Sequence, residues 1–380
     1  MGASLRNRAM IAILSNRTYR YLFTAQVVAL LGTGLATVAL GLLAFELVGQ
    51  NAAMVLGTVF TIKMVAYVGV APVAAAFATR VPRRAMLVSL DLVRAAVALC
   101  LPFVSETWQV YLLIFLLQSA SAAFTPTFQA TIPDLLPDEE DYTRALSLSR
   151  LAHDLESLVS PMLAALALVF VSFDMLFFGT GIGFAASALL VLSVVLPSPT
   201  PSAPRGIYDQ TIRGMRFYLK TPRLRGLLAL NLSVAAAGSM VIVNTVVLVR
   251  GDLGLDEGDV ALALAAFGAG SMMAALLLPR LLAKRPDRQI MLAGASLLSA
   301  VLLALGFLFS QSDITWHALL AAWFLLGIGY SSVLTPSGRL LRRSAHPEDR
   351  QAIFASQFAL SHACWLLCYP LAGWLMTRFG

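Results

Sequence analysis

Three ionisable residues, Lys63, Asp154 and Glu156, stand in the middle of long apolar stretches of the sequence. If those stretches cross a bilayer, each charge costs roughly 2.5–3.5 kcal/mol to insert and needs a compensating role. A carboxylate at that depth can gain and lose a proton, and a lysine nearby can pair with it. Lys63 could pair with Asp154 or Glu156, or meet His362. The pattern favours a proton or substrate pathway over a static buried ion pair.

The composition predicts an integral membrane protein. Hydrophobic residues make up 59% and charged residues 12% of the chain, against roughly 45–50% and 25% in soluble proteins. Several stretches run 20 or more residues with few charges, which is long enough to cross a bilayer as helices. The net charge of +7 comes from basic residues in the turns between these stretches, so we expect no nucleic-acid partner.

The sequence contains none of the common patterns for catalysis or cofactor binding. It has no Gly-rich phosphate loop, no Ser/His/Asp arrangement and no ATP-binding motif. The three cysteines lie inside apolar stretches and give neither a disulfide framework nor a complete metal site. We therefore expect no enzyme activity, no cofactor and no metal.

Hydropathy predicts eleven membrane spans of an all-α protein. Of the 27 Lys and Arg residues, 22 lie in the N-terminus and in every second connection, which predicts that these segments and the N-terminus are cytoplasmic. The predicted spans are 21–48, 53–78, 85–104, 108–132, 146–170, 173–196, 226–249, 258–279, 289–309, 315–337 and 352–376.

The two halves of the chain repeat one another at an offset of about 210 residues. SAAFTPTF in the first half corresponds to SSVLTPSG in the second, so that Pro336 follows Pro126 by 210 positions; Pro370 follows Pro161 by 209. Internal repeats of membrane helices are typical of transporters. Because proline removes a helical hydrogen bond, we expect these four residues to mark helix bends.

The repeat also predicts the division of the chain. Residues 1–196 form a six-helix bundle, 197–225 a linker with a basic amphipathic helix on the membrane surface, and 226–380 a second bundle. The sixth span begins near residue 173, so its counterpart would begin near 382, beyond Gly380. We expect the sequence to be a truncated form that lacks the twelfth helix.

Spacing predicts two further polar contacts. Asp91 and Arg94 lie three positions apart, which places them on one helix face and favours a structural pair. Arg150, near the cytoplasmic end of the fifth span, could either extend to the membrane surface or contact the acidic 133–145 connection.

Two segments resemble the major facilitator superfamily of transporters. The turn AAFATRVPRR at residues 75–84 is similar to the family's G-x-x-A-D-R-x-G-R-R, with Thr79 in place of the Asp. The stretch PTFQATIPDLLPDEEDYTR, residues 126–144, resembles the branch that contains the enterobactin exporter and drug-efflux proteins. This resemblance implies two six-helix bundles that alternate between inward-open and outward-open states.

The resemblance also implies which residues contact substrate and which form gates. Helices 1, 4, 7 and 10 of the superfamily line the pathway, and here they offer Gln26, Gln118, Asn231, Asn244 and Tyr330. The basic turns after helices 2 and 8 are cytoplasmic gating turns in the family, and here they carry Arg80, Arg83, Arg84, Arg280 and Lys284.

Together these features predict a secondary active transporter that exports a small amphiphilic molecule in exchange for protons. We expect it to be a monomer in the bacterial inner membrane. An uptake permease, a lipid-like flippase and a non-transporting sensor or scaffold with the same fold are the alternatives.

Overall fold

The structure, a computed structural model, describes residues 12–48, 52–78, 81–197, 207–255, 257–311 and 315–379, and within these ranges it is helical without strands. The principal helices are α1 (Arg17–Val48), α2 (Ala52–Ala78), α3 (Arg83–Cys100), α4 (Thr107–Leu135), α5 (Glu139–Leu168), α6 (Asp174–Leu192), α7 (Ile207–Lys220), α8 (Pro222–Val246), α9 (Glu257–Lys284), α10 (Asp287–Ser310), α11 (Trp316–Ser344) and α12 (Arg350–Phe379).

The predicted all-helical membrane fold is confirmed, but the predicted count of eleven spans is not. Within the described ranges, ten helices are long and apolar enough to cross a membrane. The predicted fifth span, 146–170, falls in α5, a 30-residue helix that is not among those ten. The middle of α5 carries both Asp154 and Glu156. The short helix α7 occupies the part of the linker where an amphipathic helix is expected.

Local sequence explains where α4 and α5 begin. The Asp138 carboxylate caps α5 by accepting hydrogen bonds from the backbone N–H groups of Glu140 and Asp141, at 2.9 and 3.0 Å. Three acidic residues in the first turn stabilise the helix by interacting with the positive end of its dipole. At the start of α4, Glu106 and Gln109 form a reciprocal capping box.

The chain divides into two compact units. Unit 1 comprises residues 1–145, 155–220 and 345–359, and unit 2 comprises residues 146–154, 221–344 and 360–380. Each unit thus contains a segment from the other half of the sequence: residues 146–154 of α5 belong to unit 2, and the start of α12 belongs to unit 1.

In unit 1, α6 packs against both α1 and α3, while α4 packs against α2 and α3. Close approach of α1 and α6 is favoured by Gly32, because a Cβ there would lie 3.3 Å from the Thr180 carbonyl oxygen of α6. The Thr180 hydroxyl donates a 2.8 Å hydrogen bond to the Gly32 carbonyl oxygen. The expected Asp91–Arg94 pair is present, and Ser187 donates to the same carboxylate at 2.8 Å. The Arg94 guanidinium also lies against the ring of Phe124, 4.0 Å from its centroid.

In unit 2, α11 is the central helix and contacts α8, α9 and α10. The α9–α11 contact is tight because Gly270 and Gly327 face the backbone of the opposite helix, where a Cβ would overlap a carbonyl oxygen. Trp323 of α11 donates its indole N–H to the Thr245 hydroxyl of α8 at 2.9 Å. This hydrogen bond satisfies one buried donor and one buried acceptor between α8 and α11.

The four repeat-related prolines lie within helices that continue through them. Pro126 is in α4, Pro161 in α5, Pro336 in α11 and Pro370 in α12. Each leaves its helix without one backbone donor. Their role as gating bends stays a prediction.

Candidate functional site

Helix α5 carries both acidic residues, and it presents them to different units. Asp154 and Glu156 lie two positions apart, which separates their side chains by about 200° around a helix. Asp154 belongs to unit 2, whereas Glu156 belongs to unit 1. Their surroundings can therefore be described separately.

The Asp154 carboxylate is buried, with 3% of the residue exposed, and is fully engaged. Arg150, one turn earlier on α5, forms an ion pair with one carboxylate oxygen. Ser271 of α9 donates a 2.7 Å hydrogen bond to the other oxygen and accepts a 3.2 Å hydrogen bond from Nε of Arg150. A charge buried in this way is stabilised only while its partners remain in place.

Aromatic rings extend this arrangement. The Arg150 guanidinium lies 4.9 Å from the ring centroid of Tyr330 on α11. The Tyr330 ring in turn lies 5.4 Å from Phe267 and 6.4 Å from Trp365. We call Arg150, Asp154, Ser271 and Tyr330 the saturated cluster. Arg150 thus takes its contacts inside unit 2, while the acidic residues Glu140 and Asp141 pair with Arg144.

Glu156 has a very different environment in unit 1. It is half-buried, and neither of its carboxylate oxygens has a hydrogen-bond or ion-pair partner among the described residues. The Glu156 carboxylate lies close to Gly34 of α1. A Cβ added to Gly34 would lie 3.1 Å from Glu156 Oε1 and would overlap the Ser160 side chain. The Ser160 hydroxyl, one turn further along α5, is buried and also has no hydrogen-bond partner among the described residues.

Lys63 of α2 is the positively charged residue that interacts electrostatically with Glu156. Its charge stabilises the ionised Glu156 carboxylate, although the two groups form no ion pair within 4 Å. The ammonium lies 5.6 Å from the ring centroid of Tyr67, one turn further along α2. Tyr67 packs against Phe358 with ring centroids 4.9 Å apart. We call Lys63, Tyr67, Glu156 and Ser160 the open cluster.

The basic turn after α2 contributes to a charged contact at one end of unit 1. Arg83 and Arg350 both form ion pairs with Asp134 at the end of α4, the first at 2.5 Å. Gln351 adds a 2.9 Å hydrogen bond to Thr127 of α4. The first turn of α12 is thus held against α4 even though Thr79 replaces the acidic residue of the family turn.

Unit 2 has the corresponding contact with its charges reversed. Asp287, at the start of α10, pairs with Arg343 at 2.7 Å and with Arg339 at 3.2 Å on α11. Arg343 follows Asp134 by 209 positions, which is the repeat offset. The acid therefore sits at the end of α4 in unit 1, but at the start of α10 in unit 2.

The other predicted gating residues are less engaged. Arg84 donates to the backbone carbonyl of Leu192, while Arg280 and Lys284 are exposed. Arg80 lies outside the described residues. The structure therefore ties only Arg83 of this set into an ion pair with a described residue.

The predicted pathway residues divide between the units. Gln26 is half-buried in α1 and Gln118 is buried in α4, both in unit 1. Asn231 and Asn244 are buried in α8 of unit 2, where Asn231 donates to the Leu227 carbonyl at 2.9 Å. His362 is half-buried in the unit 2 part of α12. Their roles in a pathway stay predictions.

The sequence did not predict three residues that form these contacts: Ser271, Asp134 and Asp287. Asp134 and Asp287 lie beside basic turns, and the repeat offset that pairs Asp134 with Arg343 could have identified the first of them. Nothing in the sequence around Ser271 distinguishes it from the many serines of membrane helices, whose usual role is close packing.

Comparison with known families agrees with this architecture. The family model "Major Facilitator Superfamily" matches residues 22–245 and 227–380. The chain belongs to the major facilitator superfamily. It is a multi-pass membrane protein of a transporter family. No curated protein matches the chain.

Two solved superfamily structures are similar in fold. The human organic anion transporter MFSD10 (TETRAN) has a TM-score of 0.80 at 12% identity, over 95% of this chain and 94% of that one. The transporter FucP in its outward conformation has a TM-score of 0.69 at 12% identity, over 95% and 92%. At such low identity these structures support the fold alone.

Proposed function

We propose that this superfamily member is a secondary active transporter that moves a small amphiphilic molecule by alternating access, and that Glu156 gains and loses the coupled proton. The observation that carries the proposal is the contrast around α5. Asp154 is held by Arg150 and Ser271, whereas Glu156 has no such partner among the described residues.

A coupling carboxylate has to change protonation state within each transport cycle. Asp154 already pairs with Arg150 and accepts a hydrogen bond from Ser271, and removing one partner of such a buried pair is strongly unfavourable. Protonating Glu156 disrupts no hydrogen bond and no close ion pair with a described residue, and it changes only the longer-range interaction with Lys63. Ionisable groups at membrane depth commonly belong to proton or substrate pathways. The open cluster therefore suits proton coupling better.

Export in exchange for protons is the direction that the exporter resemblance suggests. It requires substrate and proton to compete, which a substrate that donates hydrogen bonds to the Glu156 carboxylate would do. The polar residues Gln26, Gln118, Asn231, Asn244 and Tyr330 are proposed to contact the substrate along the pathway. In this proposal the basic turns face the cytoplasm of a bacterial inner membrane.

Proton-coupled uptake is a second candidate, and it is favoured by the position of Lys63. Protonation of Glu156 removes the negative charge that Lys63 stabilises and leaves the ammonium more attractive to an anion. Proton and substrate would then bind together and move in the same direction.

Proteoliposomes with an imposed pH gradient test the proposal. Substrate candidates are first selected by their ability to stabilise the purified protein against heat. We expect substrate movement driven by the gradient in the wild type, and its loss in Glu156→Gln at an unchanged protein level. Exchange of substrate against protons supports export, and movement with protons supports uptake. Transport that continues unchanged in Glu156→Gln contradicts the proposed role.

A further inference from the structure

We propose that Lys63 binds a single acidic group, a carboxylate or sulfonate, on an otherwise apolar substrate. This inference rests on the proposed function, because it names the substrate class of the same open cluster. An acid that binds Lys63 more tightly when Glu156 is protonated moves together with the proton, so the inference belongs with the uptake candidate. It starts from the position of the lysine. The Lys63 backbone lies about 16 Å along α2 from Ala52 and about 22 Å from Ala78, at 1.5 Å per residue.

An ammonium group at that depth requires a counter-charge. Buried charges in proteins are paired, and intramembrane lysines pair with acids or face a pathway. Among the described residues Lys63 forms no ion pair, and Glu156 acts on it only from beyond 4 Å. The Lys63 side chain is half-buried in unit 1. We therefore assign the close counter-charge of the Lys63 ammonium to an acidic group of the ligand.

Several of the other described charges in unit 1 are already paired: Arg213 with Asp349, Arg350 with Asp134, and Arg94 of α3 with Asp91. The helices packed on α2 and on this part of α5 carry charged residues at several positions. These are Arg17, Arg20 and Glu46 in α1, Asp134 in α4, Arg213, Arg216 and Lys220 in α7, and Glu348, Asp349 and Arg350 beside the start of α12. Tyr67 is the nearest titratable group to the ammonium on α2 itself.

The chemistry of the cluster limits the ligand. One lysine matches one negative charge, whereas a phosphate ester is typically bound by a bidentate arginine clamp, which the open cluster lacks. The rings of Tyr67 and Phe358, packed 4.9 Å apart, offer an apolar surface beside the ammonium. An amphiphilic monoanion satisfies both features.

Binding measurements on the purified full chain test this assignment without transport. The probes are 1-octanesulfonate and 2-naphthoate, each compared with a neutral counterpart, 1-octanol and 2-naphthamide. We expect both acids to raise the melting temperature of the wild type and of Lys63→Arg more than their neutral counterparts do. Lys63→Gln should weaken acid binding about tenfold or more, the loss of one charge-assisted contact. Lys220→Gln removes an exposed lysine of α7 and should behave as the wild type.

Lys63→Met provides a second variant, which removes a charge from membrane depth and should itself melt no lower than the wild type. If neither acid stabilises the wild type beyond its neutral counterpart, or if Lys63→Gln and Lys63→Met bind the acids as the wild type does, the assignment is wrong.

The pH dependence separates this inference from the proposed function. Octanesulfonate, which stays ionised, should bind more tightly as pH falls in the wild type, because protonated Glu156 no longer neutralises Lys63. In Glu156→Gln its binding should be independent of pH. If Glu156→Gln abolishes transport while the acids fail to bind, the proposed function stands and the substrate class is wrong. If the acids bind at Lys63 while transport is unchanged in Glu156→Gln, the substrate class stands and the proposed coupling role of Glu156 is wrong.

Discussion

The saturated cluster and the open cluster are built around acids only two residues apart on one helix. Asp154 has an arginine one turn away and a serine from α9, and both are in direct contact with it. Glu156 has a lysine that acts from a longer distance and a neighbouring serine whose hydroxyl is unpaired among the described residues. The same residue chemistry on one helix therefore has two different environments.

In the proposed mechanism, one helix combines a structural ion pair with a group that takes up and releases a proton. The Asp154–Arg150 pair is buried, and such a pair is stable only while both partners remain in place. A carboxylate without close partners can exchange a proton and affect only the electrostatic potential around Lys63. We therefore propose that Asp154 stabilises unit 2 and that Glu156 takes part in coupling.

The largest predicted effect is on stability, from Asp154→Asn. It removes the partner of Arg150 and should destabilise the protein by about 3–5 kcal/mol. Glu156→Gln should change stability far less, because no close partner is lost. The melting temperatures of the two variants in one detergent give the comparison.

A double variant, Arg150→Gln with Asp154→Asn, should recover part of the stability lost in Asp154→Asn alone. If Asp154→Asn melts no lower than Glu156→Gln, the two clusters do not differ as described.

Substituting one serine from each cluster, Ser271 and Ser160, tests the comparison with a smaller expected loss of stability. Ser271→Ala removes hydrogen bonds to both Arg150 and Asp154 and should destabilise the protein by about 1–3 kcal/mol. Ser160→Ala removes a hydroxyl that has no partner among the described residues, so it should be neutral or slightly stabilising. Thermal unfolding of the two variants measures the difference; equal losses would show that the Ser160 hydroxyl is also engaged.

The charge-reversed contacts at the helix ends give the smallest effect. Asp134→Asn weakens pairing with Arg83 and Arg350, but the Asp134 side chain is 20% exposed to water, so the substitution should cost about 1–2 kcal/mol. Asp287→Asn should cost more, because the Asp287 side chain is 5% exposed against 20% for Asp134. Melting temperatures of both variants check the order, and the reverse order would contradict it.

Much of the fold could be predicted from the sequence. Apolar stretches separated by basic turns predict the helices, and the repeat at about 210 residues predicts two related halves. The Asp91–Arg94 pair follows from its spacing of three. The count of eleven spans is not confirmed, because ten helices of the described residues are long and apolar enough to cross a membrane.

The two clusters could be predicted only in part. Hydropathy identifies Lys63, Asp154 and Glu156, and the spacing of two predicts that the acids face opposite sides of α5. The spacing of four between Arg150 and Asp154 also allows their ion pair to be predicted. The contribution of Ser271 could not be predicted, because it lies 117 residues away and depends on how α9 packs within unit 2. Local spacing supplies the Arg150 contact, and tertiary packing supplies the Ser271 contact.

The central claim is that Glu156, and not Asp154, carries the exchangeable proton. Infrared difference spectroscopy of the purified protein across a pH titration measures the C=O stretch of protonated carboxyl groups directly. We predict a pH-dependent band in the wild type that is lost in Glu156→Gln and kept in the Arg150→Gln, Asp154→Asn double variant. A band that persists in Glu156→Gln and vanishes in the double variant would contradict the account.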